Sequence, residues 1–153
     1  MELVFREMPR SFIEALPGIQ EQAASERESA RELLRKIGVR LPPSASDVLK
    51  GKVRTWECIL ESEVVGRCTG DSNTGEILIL VVDDPYRGQG IGRTLLGLVV
   101  DWLRTCGAPR IWLVSNPCES AYGFYRAMGW RPNGEQMEGG DEILIPPPPS
   151  APV

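Results

Sequence analysis

The 153-residue chain contains no histidine. That absence removes Ser-His and Cys-His nucleophile pairs and every imidazole metal site. Acid–base work must then fall to Glu, Asp, Tyr, Cys, Lys or water. A basic excess is also missing, with 17 Lys and Arg against 21 Asp and Glu and a net charge of −4. General nucleic-acid binding needs a cationic footprint to displace counterions, so nucleic acid is not an expected partner. The acidic balance is compatible with a cationic amine as substrate, and it still permits a local basic pocket. The four cysteines, Cys58, Cys68, Cys106 and Cys118, form no Cys-x-x-Cys pair. They read as reduced, mostly buried thiols rather than as a disulfide framework. Long apolar runs are absent too. The opening MELVFREMPRSF has no apolar stretch of signal-peptide length, and nothing downstream reaches membrane-spanning length. A soluble, cytoplasmic protein with no membrane partner and no metal is expected.

What is present is ordinary for a globular domain: 42% hydrophobic and 25% charged residues. One domain is expected over residues 1–145, followed by PPPPSAPV at 146–153 as a disordered tail. ELVFR (2–6) reads as a short strand, and residues 11–38 read as helical, interrupted at Pro17-Gly18. Ile19, Ala23, Ala30, Leu33, Leu34 and Ile37 fall near one helical face, with Gly38 as the stop. LPPSASDVLKGK connects to two strands, VRTWECILE and EVVGRCTG, paired as a hairpin. EILILVVDD is apolar on both faces from Ile77 to Val82, which marks a central strand. Ile91, Leu95, Leu98, Val99, Trp102 and Leu103 then form a helical stripe ending near Cys106-Gly107. PRIWLVS is a further strand and ESAYGFYRAMGW a short helix stopped by Gly129. WRPNGEQMEGGDEILI is a hairpin turning near Gly139-Gly140. The order gives an α/β fold with a mixed sheet.

Between the central strand and its helix lies DDPYRGQGIGRTLL, with glycines at 88, 90 and 92. A loop leaving a strand and opening a helix aims several backbone N–H groups at one point, with the helix dipole behind them. Glycine lets that backbone approach an anion closely. Spacing excludes two phosphate-binding loops. A Walker A loop needs glycine five positions before Gly92 and a lysine after it, where Arg87 and Arg93 stand. A dinucleotide fingerprint needs its third glycine at Arg93, and no acidic residue ends a second strand about 20 residues on.

The pattern that fits is Arg/Gln-x-x-Gly-x-Gly/Ala, met by Arg87-Gly88-Gln89-Gly90-Ile91-Gly92. It resembles the acyl-CoA pyrophosphate loop of the GNAT superfamily of N-acyltransferases. SAYGFYRAMGW is similar to that family's second signature through Ala121, Phe124, Tyr125 and Gly129, with Trp130 in place of the usual Phe. The likeness covers about residues 53–145. It implies a central sheet of six or seven strands, splayed between the strand ending at Val82 and the one ending at Ser115. Acetyl-CoA, as co-substrate, would lie in that cleft. Leu80, Val81 and Val82 would pair with the pantetheine, and residues 87–92 would hold the pyrophosphate, with Arg93 adding charge.

The implied reaction is direct attack of a primary amine on the thioester. Tyr125 matches the family's general acid for the sulfur, and a Val82 N–H would polarise the carbonyl. Glu76, acting through water, is the expected base, with Glu57 as an alternative. Many relatives carry a cofactor-contacting Asn three residues before the Ala of the second signature. Here Cys118 stands there, and Asn116 is the candidate substitute. Cys118 itself lacks an activating histidine, which argues against a nucleophile. The acceptor is expected to be a small-molecule amine or a protein amino group. Pairing of two copies is common on this fold, so a homodimer is an option that nothing in this sequence favours. A non-catalytic acyl-CoA-binding module is the alternative to an enzyme.

Overall fold

β-Branched and alternating residues, separated by two tight turns, fold the middle of the chain into an antiparallel meander. The computed structural model describes residues 2–38 and 40–149. Met1, Val39 and residues 150–153 of the expected tail lie outside the described residues. Strand β1 (Val4–Glu7) is followed by four short helices, α1 (Arg10–Glu14), α2 (Ile19–Ser25), α3 (Glu28–Lys36) and α4 (Ala45–Leu49). Next come β2 (Val53–Leu60), β3 (Glu63–Asp71) and β4 (Glu76–Val82), then α5 (Ile91–Thr105), β5 (Leu113–Ser115), α6 (Ser120–Ala127), β6 (Arg131–Gln136) and β7 (Glu142–Ile145).

The strands form a four-stranded sheet, β1-β2-β3-β4, and a three-stranded sheet, β5-β7-β6, all antiparallel within each. One parallel bridge, Glu76 with Trp112, joins them. There Ile77 N–H donates to the Trp112 carbonyl at 2.8 Å, and Trp112 N–H donates to Gly75 at 3.1 Å. Beyond that joint, β4 and β5 diverge and pair no further among the described residues. The mixed, splayed sheet expected from the sequence is therefore present.

Helix α5 covers one face of this sheet. Ile91, Leu95, Val99 and Leu103 are buried as the stripe predicts, but Leu96 and Val100 are buried as well. The wider contact arises because α5 spans the split and also meets the second half, including Trp130, in one core. Gly66 and Gly70 of β3 lie directly under α5.

Three expectations need correction. Leu33 and Ile37 of the N-terminal stripe are 64% and 75% exposed, because nothing among the described residues packs over that side of α3. Only Cys58 and Cys68 are buried, whereas Cys106 and Cys118 are exposed; all four are free. Strand β4 is central in order but covered on one face only, leaving Ile79 and Val81 half exposed on the other. Pro146–Pro149 has no regular secondary structure, yet it lines a groove beside α5 and α6, and Arg104 Nη2 donates to the Pro147 carbonyl at 3.5 Å.

Candidate active site

Strand β4 feeds a cleft from its free edge. Asp83 N–H donates to Val65 at 2.9 Å, and the register pairs Gly66 with Val82 and Cys68 with Leu80. An antiparallel ladder alternates, so the polar backbone groups of Val81 face β3 and those of Leu80 and Val82 face the gap. The Val82 carbonyl accepts from Arg87 Nε at 3.2 Å on that side. Leu78 is the extra residue where the register shifts between Thr69 and Gly70, a bulge just beyond the joint.

The loop at the end of β4 presents unsatisfied donors. From Gly88 to Arg93, six successive backbone N–H groups have no acceptor among the described residues. Gly88 and Gly90 hold φ of +81° and +82°, with open space where a side chain would stand. Only glycine adopts that conformation without strain, and it leaves the donors uncovered at the N-terminus of α5. Gly92 instead faces the Phe124 ring, 3.3 Å from where a Cβ would sit, which locks α5 to α6. Arg87 also pairs with Asp84 at 3.1 Å. Arg93 is exposed and lines the groove of about 500 Å³ shared with Arg104 and the prolines.

Tyr125 sits on α6 with its ring against Phe124 and Trp130, at 5.4 and 6.1 Å between centroids. Burial pushes its phenol from 10.0 to about 12, and the Cys68 sulfur, negative once ionised, adds to the rise. Cys68 faces Leu80 across the ladder, so the phenol lies near the middle of β4. Its hydroxyl makes no hydrogen bond among the described residues, and it is not sealed among the buried unpaired atoms. The ring is core; the oxygen is available.

On the sheet face away from α5, a cavity of about 970 Å³ opens. Its floor is Thr55, Arg67, Thr69, Glu76, Leu78 and Ile79; Met8, Ile13 and Leu16, then Arg40–Pro43 and Val48, and Met137 form the walls. Two buried carboxylates occupy this side of the sheet. Glu76 is 5% exposed and is bonded by Arg40, while Glu57 is 3% exposed and accepts from Arg6 Nε at 2.9 Å. Trp112 stands between Arg40 and Arg110, whose guanidinium carbons are 5.8 and 4.7 Å from its ring. Glu76 thus lines the cavity as part of the joint, with its charge already countered.

Asn116 is fully engaged: Nδ2 donates to Asp141 at 2.9 Å and to the Gly139 carbonyl at 3.3 Å, and Oδ1 accepts from Cys118 N–H at 2.9 Å. Those bonds tie the loop before α6 to the β6–β7 hairpin that carries Met137. Tyr122 OH donates to Glu142 at 2.7 Å, which raises its phenol. The sequence reading missed Arg40, Arg67 and Met137. For Arg67 the available signal was a lone charge inside an otherwise apolar strand. Arg40 and Met137 lie in connections, where nothing in the local pattern announces a cavity wall. Among the described residues, no cluster of three or more metal-ligating side chains occurs, and no helix is long and apolar enough to cross a membrane.

Comparison with known proteins bears on this geometry. No curated protein matches the chain by sequence. Solved structures do match. The PaiA N-acetyltransferase of Thermoplasma acidophilum, in complex with coenzyme A, is 18% identical with a TM-score of 0.63, covering 95% of this chain and 99% of that one. A GNAT-family acetyltransferase of Staphylococcus aureus is 18% identical at a TM-score of 0.59, covering 95% and 98%. The ribosomal-protein-S18-alanine N-acetyltransferase of Escherichia coli is 17% identical at 0.52, covering 94% and 90%. At such identities the likeness speaks for the fold. The family model of the acetyltransferase (GNAT) family matches residues 21–130, which include both the glycine loop and the α6 signature. This chain belongs to the GNAT acetyltransferase family.

Proposed function

We propose that the protein is an N-acetyltransferase that moves an acetyl group from acetyl-CoA to a primary amine. The observation that carries this reading is the run of six free N–H groups at the end of an unpaired β4 edge. A pyrophosphate bound at residues 87–92, with Arg87 and Arg93 supplying charge, fits those donors. The pantetheine would then run along β4 as an added strand, bonding the outward groups of Leu80 and Val82 while Val81 shapes the other face. Its thioester end would reach the level of Leu78, where the cavity opens.

The amine nitrogen attacks the carbonyl carbon, the carbon–sulfur bond breaks, and the proton lost by nitrogen balances the one gained by the thiolate. The outward Leu80 N–H, nearest that end of β4, polarises the carbonyl in place of the expected Val82 N–H. Tyr125 donates to the sulfur; with its phenol near 12 it stays protonated through the neutral range. Glu76 takes the amine proton through water from the cavity floor. Asn116 supports the cofactor side of the cleft by pinning the hairpin, and would touch the cofactor only by releasing Gly139 and Asp141. The free thiols suit a reducing compartment, consistent with a cytoplasmic enzyme.

The test combines acetyl-CoA binding by calorimetry with amine-dependent thiol release. Tyr125→Phe should bind acetyl-CoA as the parent does and lose roughly 100-fold or more in kcat. Unchanged turnover removes Tyr125 from the mechanism. Acetyl-CoA binding without turnover on any amine would make the chain a non-catalytic acyl-CoA-binding module. Stabilisation by ATP or NAD, with none from acetyl-CoA, would overturn the assignment of the loop.

A further inference from the structure

The cavity floor carries a charge that the proposed chemistry leaves unused. Arg67 projects from the middle of β3, opposite Glu57 on one side and Val81 on the other. The face is set by alternation, since neighbouring Gly66 lies under α5. Glu57 is taken by Arg6 at 2.9 Å. Among the described residues, Arg67 itself has no ion pair and its side chain makes no hydrogen bond. The other cation of the cavity, Arg40, is neutralised by Glu76. The lining therefore has a net positive charge centred on Arg67, although the whole chain is acidic. Around it the walls are apolar, with Met8, Ile13, Leu16, Val48 and Met137.

Arg67 is exposed at the edge of this apolar lining, and its permanently charged guanidinium presents a forked donor set that matches a carboxylate. The same field disfavours an acceptor with several positive charges. Resting on the acetyl-transfer reading above, we infer that the acceptor is an apolar amino carboxylate, such as an α-amino acid with a hydrophobic side chain. Arg67 holds its carboxylate, the apolar walls take its side chain, and its uncharged nitrogen attacks the thioester. The nitrogen–carbon bond forms as the carbon–sulfur bond breaks, giving the N-acetyl amino acid and free coenzyme A. Arg67 is a specificity residue in this scheme; the thioester chemistry does not pass through it.

The experiment measures thiol release with leucine and phenylalanine, their carboxamides, and spermidine, for the parent and for Arg67→Gln and Arg67→Lys. An amide has the more readily deprotonated amine, so a preference for the acid cannot come from the nucleophile. The parent should favour the acids over the amides by roughly 10-fold or more in kcat/KM, the scale of a charge-assisted pair. Arg67→Gln should bring that ratio to about 1, and Arg67→Lys should recover part of it. A parent that prefers amides or spermidine, or an Arg67→Gln variant that loses acid and amide alike, overturns the inference. Acetyl-CoA binding by calorimetry separates the two levels. If acetyl-CoA binds and the amino carboxylates release no thiol, only the acceptor assignment falls. If acetyl-CoA does not bind, the reading of the whole site falls.

Discussion

Substituting Gly75 by alanine tests whether the joint between β4 and β5 holds the two half-sheets together. Gly75 has φ of +78°, and a Cβ there would overlap the Arg110 carbonyl oxygen and stand 2.9 Å from its carbonyl carbon. Both atoms are backbone, so no rotamer change relieves the clash. The left-handed conformation alone costs an L-residue roughly 1–2 kcal/mol. Displacing the 110–112 segment would also break the two backbone bonds of the joint and the bond from Trp112 Nε1 to Thr74 at 2.9 Å. At roughly 0.5–1.5 kcal/mol each, these add about 2–4 kcal/mol. The expected loss is about 3–6 kcal/mol, a large part of the stability of a domain this size. Gly107→Ala is the matched control, because Gly107 has φ of +71° and nothing within 4 Å of its would-be Cβ. It should lose only about 1–2 kcal/mol. Equilibrium urea unfolding of both variants, with unchanged m-values, measures the difference. Losses that agree within about 1 kcal/mol would refute the reasoning, since the joint would then yield without cost.

Alkaline stability provides a second check. Burial pushes Cys68 from 9.0 to about 12 and Tyr125 from 10.0 to about 12, so both groups hold their protons more tightly folded than unfolded. Their contribution is complete below pH 9 and is lost as pH rises toward 12; Cys68 alone accounts for about 3–4 kcal/mol over that window. Urea unfolding at pH 8 and pH 11 should show the fall, and Cys68→Ala should flatten it; equal slopes would exclude Cys68 as its source. Glu76→Gln leaves the joint's backbone bonds intact. As the base, Glu76 should cost at least roughly 100-fold in kcat when replaced, with the acetyl-CoA Kd unchanged. A merely structural Glu76 would leave kcat within a few-fold of the parent. Arg40→Ala strands a buried carboxylate and should cost about 1–3 kcal/mol by denaturant titration. Asn116→Ala removes two hydrogen bonds that position the Met137 hairpin and a third within its own loop. Its acceptor KM should rise several-fold with the acetyl-CoA Kd unchanged; an equal rise in both would give Asn116 a direct role with the cofactor.

Local chemistry determined much of this protein. Gly88, Gly90 and Gly92 beside Arg87 specify a loop that opens a helix, because positive φ and close approach are properties of the chain itself. The period of Ile91, Leu95, Val99 and Leu103 likewise specifies a helix face without reference to its partner. The two signatures, in order and at their separation, pointed to the family that the match over residues 21–130 supports. Tertiary structure alone decided the rest. The stripe of α3 has a sound helical period, but burial needs a neighbour, and none among the described residues covers Leu33 or Ile37. Ile79 and Val81 read as core until the sheet opens beside them and turns one apolar face toward a cavity. Glu76, Arg40 and Trp112 are far apart in sequence and meet only at the joint, where long-range pairing sets which charges are countered. Among the described residues Arg67 stays unpaired for the same reason, since the carboxylate across from it is taken by a residue 51 positions from that carboxylate. A sequence lists its charges, but only the folded chain shows which of them remain free.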